Sequence, residues 1–313
     1  MKLIFNFGKG FLPLQRALTA YGVQLVSNTW AVPAGDRVDA AVVDFHEVAR
    51  HPLRSARLKR QLNALDAPLI GVDRDAPWHK GVRPWRLSLF KSMGGLDIYA
   101  AHSLQSAGRF APVNAYFPNA AWLEAYNLNG VALEAMRQAD WYRYDVSFIG
   151  NIDDQRYPEH RQRVAFLTAL ETRLALLGIT CSWRDSAHLT AAGQVDLIQK
   201  SRINLNYGAA CDDGVERSWG LPERCYGIPA CGGFLLSDSR QHADDDFGAG
   251  EWADFTSLED CVEKIRFHLT HFEETRDLAE AAHRRVVNDH TYVRRAAGIL
   301  TLIRDWRDAW DNS

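Results

Sequence analysis

Short, almost wholly apolar runs alternate with stretches of helical spacing along most of the chain, and this alternation limits the possible folds more than any single motif does. KLIFNF (2–7) ends at Gly8-Lys9-Gly10, LPLQRALTAYG (12–22) has helical apolar spacing and a glycine stop, and VQLVSN (23–28) follows as a second strand. The pattern continues with DAAVVDF (39–45), a basic helix over 53–65, PLIGVD (68–73), a helical stretch near 84–94, LDIYAA (96–101) and PVNAYFP (112–118). Strands without polar alternation are buried on both faces, which predicts a parallel sheet covered by helices on each side.

Residues 119–143 contain no clear strand, and YDVSFIGN (144–151) then opens a second series of the same kind. It runs through a helix over 160–177, ITCSW (179–183), a helix near 188–200, INLNY (203–207), a helix over 223–231 and GFLLSD (233–238). Two helices over 257–288 and a terminal helix over 291–310 complete the chain. A length of 313 residues exceeds the size at which one core stops growing, about 250–300 residues, so two α/β lobes are expected, divided near 138–143. Ligands of such sheets bind beyond the carboxyl ends of the strands, which places function in a cleft between the lobes.

Composition removes several classes. With 47% apolar and 24% charged residues and a net charge of −3, the chain reads as a soluble globular protein, and bulk electrostatic binding of nucleic acid has no support. No apolar run approaches the ~20 residues of a bilayer span, and the N-terminus enters a glycine loop in place of a secretory segment, so a cytoplasmic location is expected. The five cysteines (Cys181, Cys211, Cys225, Cys231, Cys261) are odd in number and form no C-x-x-C pair, which predicts reduced, packed thiols. Gly8 and Gly10 suggest a dinucleotide turn, but Pro13 stands where the third glycine belongs, and strand two ends in Ser27-Asn28 without an acid for the ribose. No metal is expected: Asp244-Asp245-Asp246 and Asp153-Asp154 lie in polar segments, and no H-x-x-x-H or H-E-x-x-H spacing occurs.

Acid–base candidates stand at strand ends of the first lobe: Asp44 and His46 after the third strand, then Asp73, Asp75 and His79 after the fourth. A histidine near neutral pH can take a proton from an acceptor hydroxyl, and an ionised aspartate can hold it; each also reads as a helix cap or turn residue. Arg50, Arg54, Arg57 and Arg60, with Lys59, recur at three- and four-residue spacing and read equally as a guide for an anionic acceptor or a solvated helix face.

The stretch from Arg224 through Tyr226, Gly227, Ala230, Cys231, Gly232, Gly233, Phe234, Leu235 and Leu236 to Asp238 resembles the fingerprint of CgeB-like (spore maturation protein type) bacterial glycosyltransferases, within the GT-B superfamily. Tyr144–Asn151 resembles the first strand and glycine turn of the donor lobe in that group, Arg202–Asn206 the strand before the nucleotide helix, and His290-Thr291-Tyr292 with Arg294 and Arg295 the closing stretch. The resemblance covers roughly 144–300 well and the first lobe only loosely. It implies two Rossmann-like lobes: an acceptor-side domain at 1–138, a nucleotide-sugar domain at 139–294, and a helix at 295–313 packing back across the lobes. It further implies transfer of a hexosyl or pentosyl group from a nucleoside-diphosphate sugar to an acceptor hydroxyl, without metal and with no cofactor beyond the donor itself. The acceptor is left open among a glycan, a lipid-linked glycan, a protein and nucleic acid. The rivals are a non-catalytic nucleotide- or glycan-binding protein of the same fold, a nucleotide-sugar epimerase or hydrolase, and, last, a dinucleotide-dependent oxidoreductase.

A donor diphosphate gains charge as the sugar–oxygen bond breaks, so arginines and helix N-termini should converge on it. The expected donor residues are Gly150, Asn151, Arg163, Asn206, Glu223, Arg224, Gly227 and Gly232. Gly227 departs from the family, which carries a glutamate there for the donor ribose. Three explanations stand: Glu223, one helical turn earlier, takes over the task; the donor differs; or the chain no longer catalyses transfer.

Overall fold

In the first sheet of the computed structural model, strands β3 (Ala40–Asp44), β4 (Leu69–Asp73) and β5 (Ile98–Ala101) are buried almost from end to end, while the edge strands β2 (Gln24–Ser27) and β6 (Val113–Tyr116) are partly exposed. The structure describes residues 1–8, 10–74, 83–103, 110–208 and 219–311. With β1 (Lys2–Asn6) the six strands run parallel in the order β2-β1-β3-β4-β5-β6. The register sets Asn6 beside Val43, Asp44 beside Val72 and Asp73 beside Ala101, so the carboxyl ends of four strands form one edge. The chain leaves β1 in one direction to β2 and then returns to β3 on the other side, which makes the β1/β3 boundary a topological switch point.

Helices α2 (Phe45–Arg50), α3 (Pro52–Asn63) and α4 (Pro84–Ser92) cover one face of this sheet, burying Phe45, Val48, Leu58, Leu62 and Phe90 over Val43, Leu69 and Tyr99. Helix α1 (Leu12–Ala20) packs instead against the terminal helix α11 (Tyr292–Asp311), and neither contributes to that core.

The second sheet comprises β7 (Tyr144–Gly150), β8 (Cys181–Asp185), β9 (Ser201–Asn206), β10 (Leu235–Asp238) and β11 (Asp254–Phe255), all parallel in the order β11-β10-β9-β7-β8. Its switch point lies between β7 and β9. Helices α5 (Arg161–Ala175) and α9 (Leu258–Thr270) share one core with the sheet; α6 (Ala191–Gln199), α7 (Arg224–Ala230) and α10 (Phe272–Asp289) share another, beside the short α8 (Ala243–Asp246). Helix starts follow the sequence: Thr190 Oγ1 accepts the Gly193 amide at 3.1 Å at the head of α6, and Ser257 Oγ accepts the Asp260 amide at 3.1 Å at the head of α9.

The chain divides into Met1–Pro118 with Tyr292–Ser313, and Asn119–Thr291. The boundary therefore falls after Pro118 and not near 138, because the strandless stretch 119–143 is tied to the second unit throughout. Asn119 Nδ2 donates to Leu221 O at 3.0 Å, the Ala121 amide to His290 O at 2.8 Å, and Trp141 Nε1 to Gln199 O at 2.8 Å. Arg137 forks onto Glu280 and Asp277 of α10 at 2.8 and 2.6 Å. The terminal helix begins at Tyr292 and belongs to the first unit: Tyr292 packs edge-on against Phe11, Arg295 Nε donates to Pro118 O at 2.7 Å, and Arg307 pairs with Asp39.

Candidate active site

At the β7/β9 switch point two arginines converge on one turn of backbone. Arg163, only 5% exposed, gives Nε to Tyr207 O at 2.9 Å, one terminal nitrogen to Asn151 O at 2.8 Å and the other to Gly208 O at 2.8 Å. Arg224, the first residue of α7, donates through Nε to Asn206 Oδ1 and through a terminal nitrogen to the same Gly208 carbonyl. Both guanidinium groups lie over the Phe148 ring, at 5.7 and 5.2 Å from its centre. Gly150 ends β7 between them: a Cβ there would lie 2.8 Å from the Phe148 ring and 3.2 Å from a terminal nitrogen of Arg224. The glycine is what lets a strand end, a ring and a cation occupy one spot.

The aspartate closing the GFLLSD run holds this arrangement. Asp238 accepts from Asn206 Nδ2 at 2.8 Å, from the Gly208 amide at 2.9 Å, and from Arg240 at 2.9 and 3.1 Å. Arg240 has a fully buried side chain and also donates to Gly220 O at 2.7 Å. A buried ion pair of this kind needs its remaining hydrogen bonds satisfied, and these are. Asn206 thus joins the Asp238–Arg240 pair to Arg224 and fixes the arginine's direction.

Helix α7 is anchored from behind. Tyr226 donates to Asp246, and His290 approaches both the Asp246 carboxylate, at 3.9 Å, and its backbone carbonyl, at 2.8 Å. Asp245 meets His242 Nδ1 at 2.7 Å, and the Asp153 carboxylate accepts the Arg156 amide at 2.9 Å, so both acidic runs serve local structure. Among the described residues no group of three or more His, Cys, Asp or Glu is arranged to hold a metal ion.

The remaining donor candidates separate. The Asn151 side chain accepts the Asp153 amide at 2.9 Å, turning the chain away from β7. Glu223 is exposed at the head of α7, and Gly227 is buried one turn on, where an added Cβ would rest 3.9 Å from the Tyr126 ring. Tyr126 donates to Gln194 at 2.9 Å, and burial, with Cys231 and Glu223 nearby, raises its pKa. Tyr126, held by Gln194, is therefore the side chain against position 227, and no sequence motif marks either residue. Gly232 lies just past the other end of α7, eight residues and so about 12 Å along the axis from Arg224. Its φ of +78° ends the helix, and a Cβ would press on Leu128, Leu133 and Met136 at 2.9–3.0 Å. The structure does not bring Gly232 together with the arginines.

Beyond the carboxyl ends of β7 and β8 lies a cavity of about 800 Å³, lined by Asn151, Arg156, Tyr157, Trp183, Arg184 and Asp185, among others. Asn151 is common to this cavity and to the arginine pair, so the two adjoin along the sheet edge.

In the first unit, Asp44 caps α2 by accepting the His46 amide at 2.9 Å, and both residues are half-buried. Asp73 is 3% exposed and accepts the Tyr99 hydroxyl at 2.6 Å; burial and the adjacent carboxylate push the Tyr99 pKa well above its usual value. Asp75 and His79 lie outside the described residues. Two further groups share this edge without being marked in the sequence: Glu47, whose carboxyl lies 3.2 Å from where a Cβ on Gly8 would stand, and the buried His102, whose amide donates to Asp73 O at 3.3 Å.

Two parallel-sheet units, one with a cationic switch point, form an α/β protein of the GT-B fold. Sucrose-phosphate synthase from Thermosynechococcus elongatus superimposes with a TM-score of 0.64 at 10% identity, over 99% of this chain and 100% of that one. Anabaena HepE in complex with UDP gives 0.62 at 12% identity over 97% and 100%, and an α1,3-fucosyltransferase with GDP gives 0.55 at 10% identity over 97% and 90%. At such identity the likeness is one of fold. No curated protein matches the sequence significantly. The family model described as glycosyl transferase-like matches residues 131–301, over half of the chain, and the chain belongs to that family. No described helix is long and apolar enough to cross a membrane.

Proposed function

We propose that the protein transfers a hexosyl or pentosyl group from a nucleoside-diphosphate sugar to an acceptor hydroxyl, and that within its family it is of the CgeB-like type. The observation that carries this reading is the convergence of Arg163 and Arg224 on Gly208 beside Gly150, at the switch point of the second sheet. Two guanidinium groups held rigidly at a strand end meet the charge that grows on a leaving diphosphate, without reorganising as the bond breaks. The donor is assigned to this site, with its nucleoside in the adjoining cavity, where Tyr157 and Trp183 offer aromatic faces and the volume suits a small ligand. UDP and UDP-glucose in HepE, and GDP in the fucosyltransferase, support a nucleotide as the ligand.

On the acceptor side, His46 is assigned as the base, with Asp44 holding its helix; Asp73 is buried against Tyr99 and is assigned a supporting part. The reaction as assigned uses no metal and no cofactor beyond the donor, and the acceptor is a hydroxyl of a glycan, a lipid-linked glycan, a protein or a nucleic acid. Gly227 favours a second reading, a non-catalytic binder of the same ligand.

Thermal-shift measurements against UDP-, GDP-, dTDP- and CMP-sugars and NAD(P) test the donor: one nucleotide sugar should stabilise the fold, by ~2.7 kcal/mol at 100 times its Kd. Stabilisation by NAD(P) alone would refute the reading. Release of free nucleotide from the stabilising donor, lost in His46→Ala with Kd unchanged, marks the enzyme. Binding with no turnover marks the binder, and isomerisation of the sugar marks an epimerase.

A further inference from the structure

The modest net charge of −3 conceals two opposed halves. The first unit carries 19 Lys and Arg against 11 Asp and Glu, a surplus of +8, and the second carries 17 against 28, a balance of −11. Within the first unit the positive charge gathers on α3, α4 and the residues beside them. Residues 48–65 and 83–96 contain no acid at all. Lys59 turns inward to Asp97 at 3.0 Å, and Arg50 stays near Glu47 at 3.9 Å. Arg54, Arg57, Arg60, Arg83, Arg86 and Lys91 form no ion pair among the described residues.

These two helices cover the same face of the sheet. Leu58 and Leu62 of α3 and Phe90 of α4 enter one core, so the opposite sides of both helices point away from the sheet in the same sense. Large apolar groups interrupt the cations there: Leu53 is 69% exposed and Trp85 is 56% exposed, with the Arg86 guanidinium 5.4 Å from the Trp85 ring. A face meant only for water does not need an exposed indole, and a site for a rigid polyanion does not need a leucine beside it. Arginines alternating with leucine and tryptophan suit a bilayer surface, where cations meet anionic head groups and amphipathic rings settle at the interface.

We infer that the outward side of α3 and α4 docks on bilayers containing anionic phospholipid. The inference stands apart from the donor site and does not depend on it. Co-sedimentation of the full chain with vesicles tests it. Binding is expected to phosphatidylcholine vesicles containing 30 mol% phosphatidylglycerol and not to pure phosphatidylcholine, with release as salt rises. Neutralising Arg54, Arg57 and Arg60 together by Arg→Gln should weaken binding about 100-fold, whereas Arg→Lys at the same positions should preserve it. Because these side chains are exposed, unchanged thermal melting of each variant shows that the fold survives. The pair Leu53→Ser and Trp85→Ser, which keeps every charge, should also weaken binding. Failure of the parent to bind at low salt, or equal binding by the Gln variant, overturns the inference. Unchanged binding by the Ser pair overturns the bilayer assignment in favour of a general polyanion site, as does capture of a DNA duplex with vesicles left unbound.

Discussion

Asn206 accepts the Nε hydrogen of Arg224 while giving its own amide to Asp238, so one neutral side chain couples the arginine at the sheet edge to a buried ion pair beneath it. Arg224→Ala should therefore raise the donor Kd about 10- to 100-fold, the loss of ~1.5–3 kcal/mol for charge-assisted hydrogen bonds. Arg224→Lys should not restore it, because a point charge cannot span Asn206 and Gly208 as a fork does. Asn206→Leu should weaken binding in the same sense without removing any charge. Calorimetric titration with the stabilising nucleotide checks all three.

A Cβ at the buried position 227 would meet only the Tyr126 ring, at an ordinary contact distance of 3.9 Å. Gly227→Glu should fold and should tighten binding of a common nucleotide sugar; weaker binding would show that the glycine makes room for a different donor. Glu223→Ala should loosen binding if the exposed carboxylate at the head of α7 serves the ribose. Unchanged affinity would exclude that compensation.

Two glycines should respond oppositely to the same substitution. Gly232→Ala places a Cβ within 3.0 Å of three side chains at a φ of +78°, and should destabilise the fold by about 2–4 kcal/mol. Gly298→Ala, within α11 and with nothing within 4 Å, should stabilise it by about 0.5–1 kcal/mol. Denaturant unfolding curves measure both.

Burial pulls the pKa of His268 down from 6.5 to about 4; the ring sits against Phe234, 4.5 Å between centres, and meets Thr275 Oγ1 at 2.9 Å. The folded state then binds fewer protons than the unfolded chain between these values. Stability is fully present above pH 6.5 and declines as pH falls towards 4, by up to about 3 kcal/mol from this group. His268→Gln should flatten that part of the profile, and a thermal melt series from pH 7.5 to 4.5 would reveal it.

The alternation of apolar runs with amphipathic stretches is local information, so most strands and helices of both units, the parallel sheets and the Arg224–Asp238 fingerprint were legible in the sequence alone, whereas the short α2, α8 and β11 carry too few residues to show a period and were not. Periodicity reports which faces are buried, and a strand followed by a helix returns to the same sheet. What partners a segment meets far along the chain carries no such local mark. Only the tertiary structure decided that 119–143 belongs with α10, that the terminal helix joins the first unit, and that Asp238 reaches Asn206 and Gly208. It also separated Gly232 from the arginines, brought Glu47 to Gly8, and showed that one net charge conceals two units of opposite sign. Hydrogen bonds and charges act through distance in space, and the folded chain, not the order of residues, sets that distance.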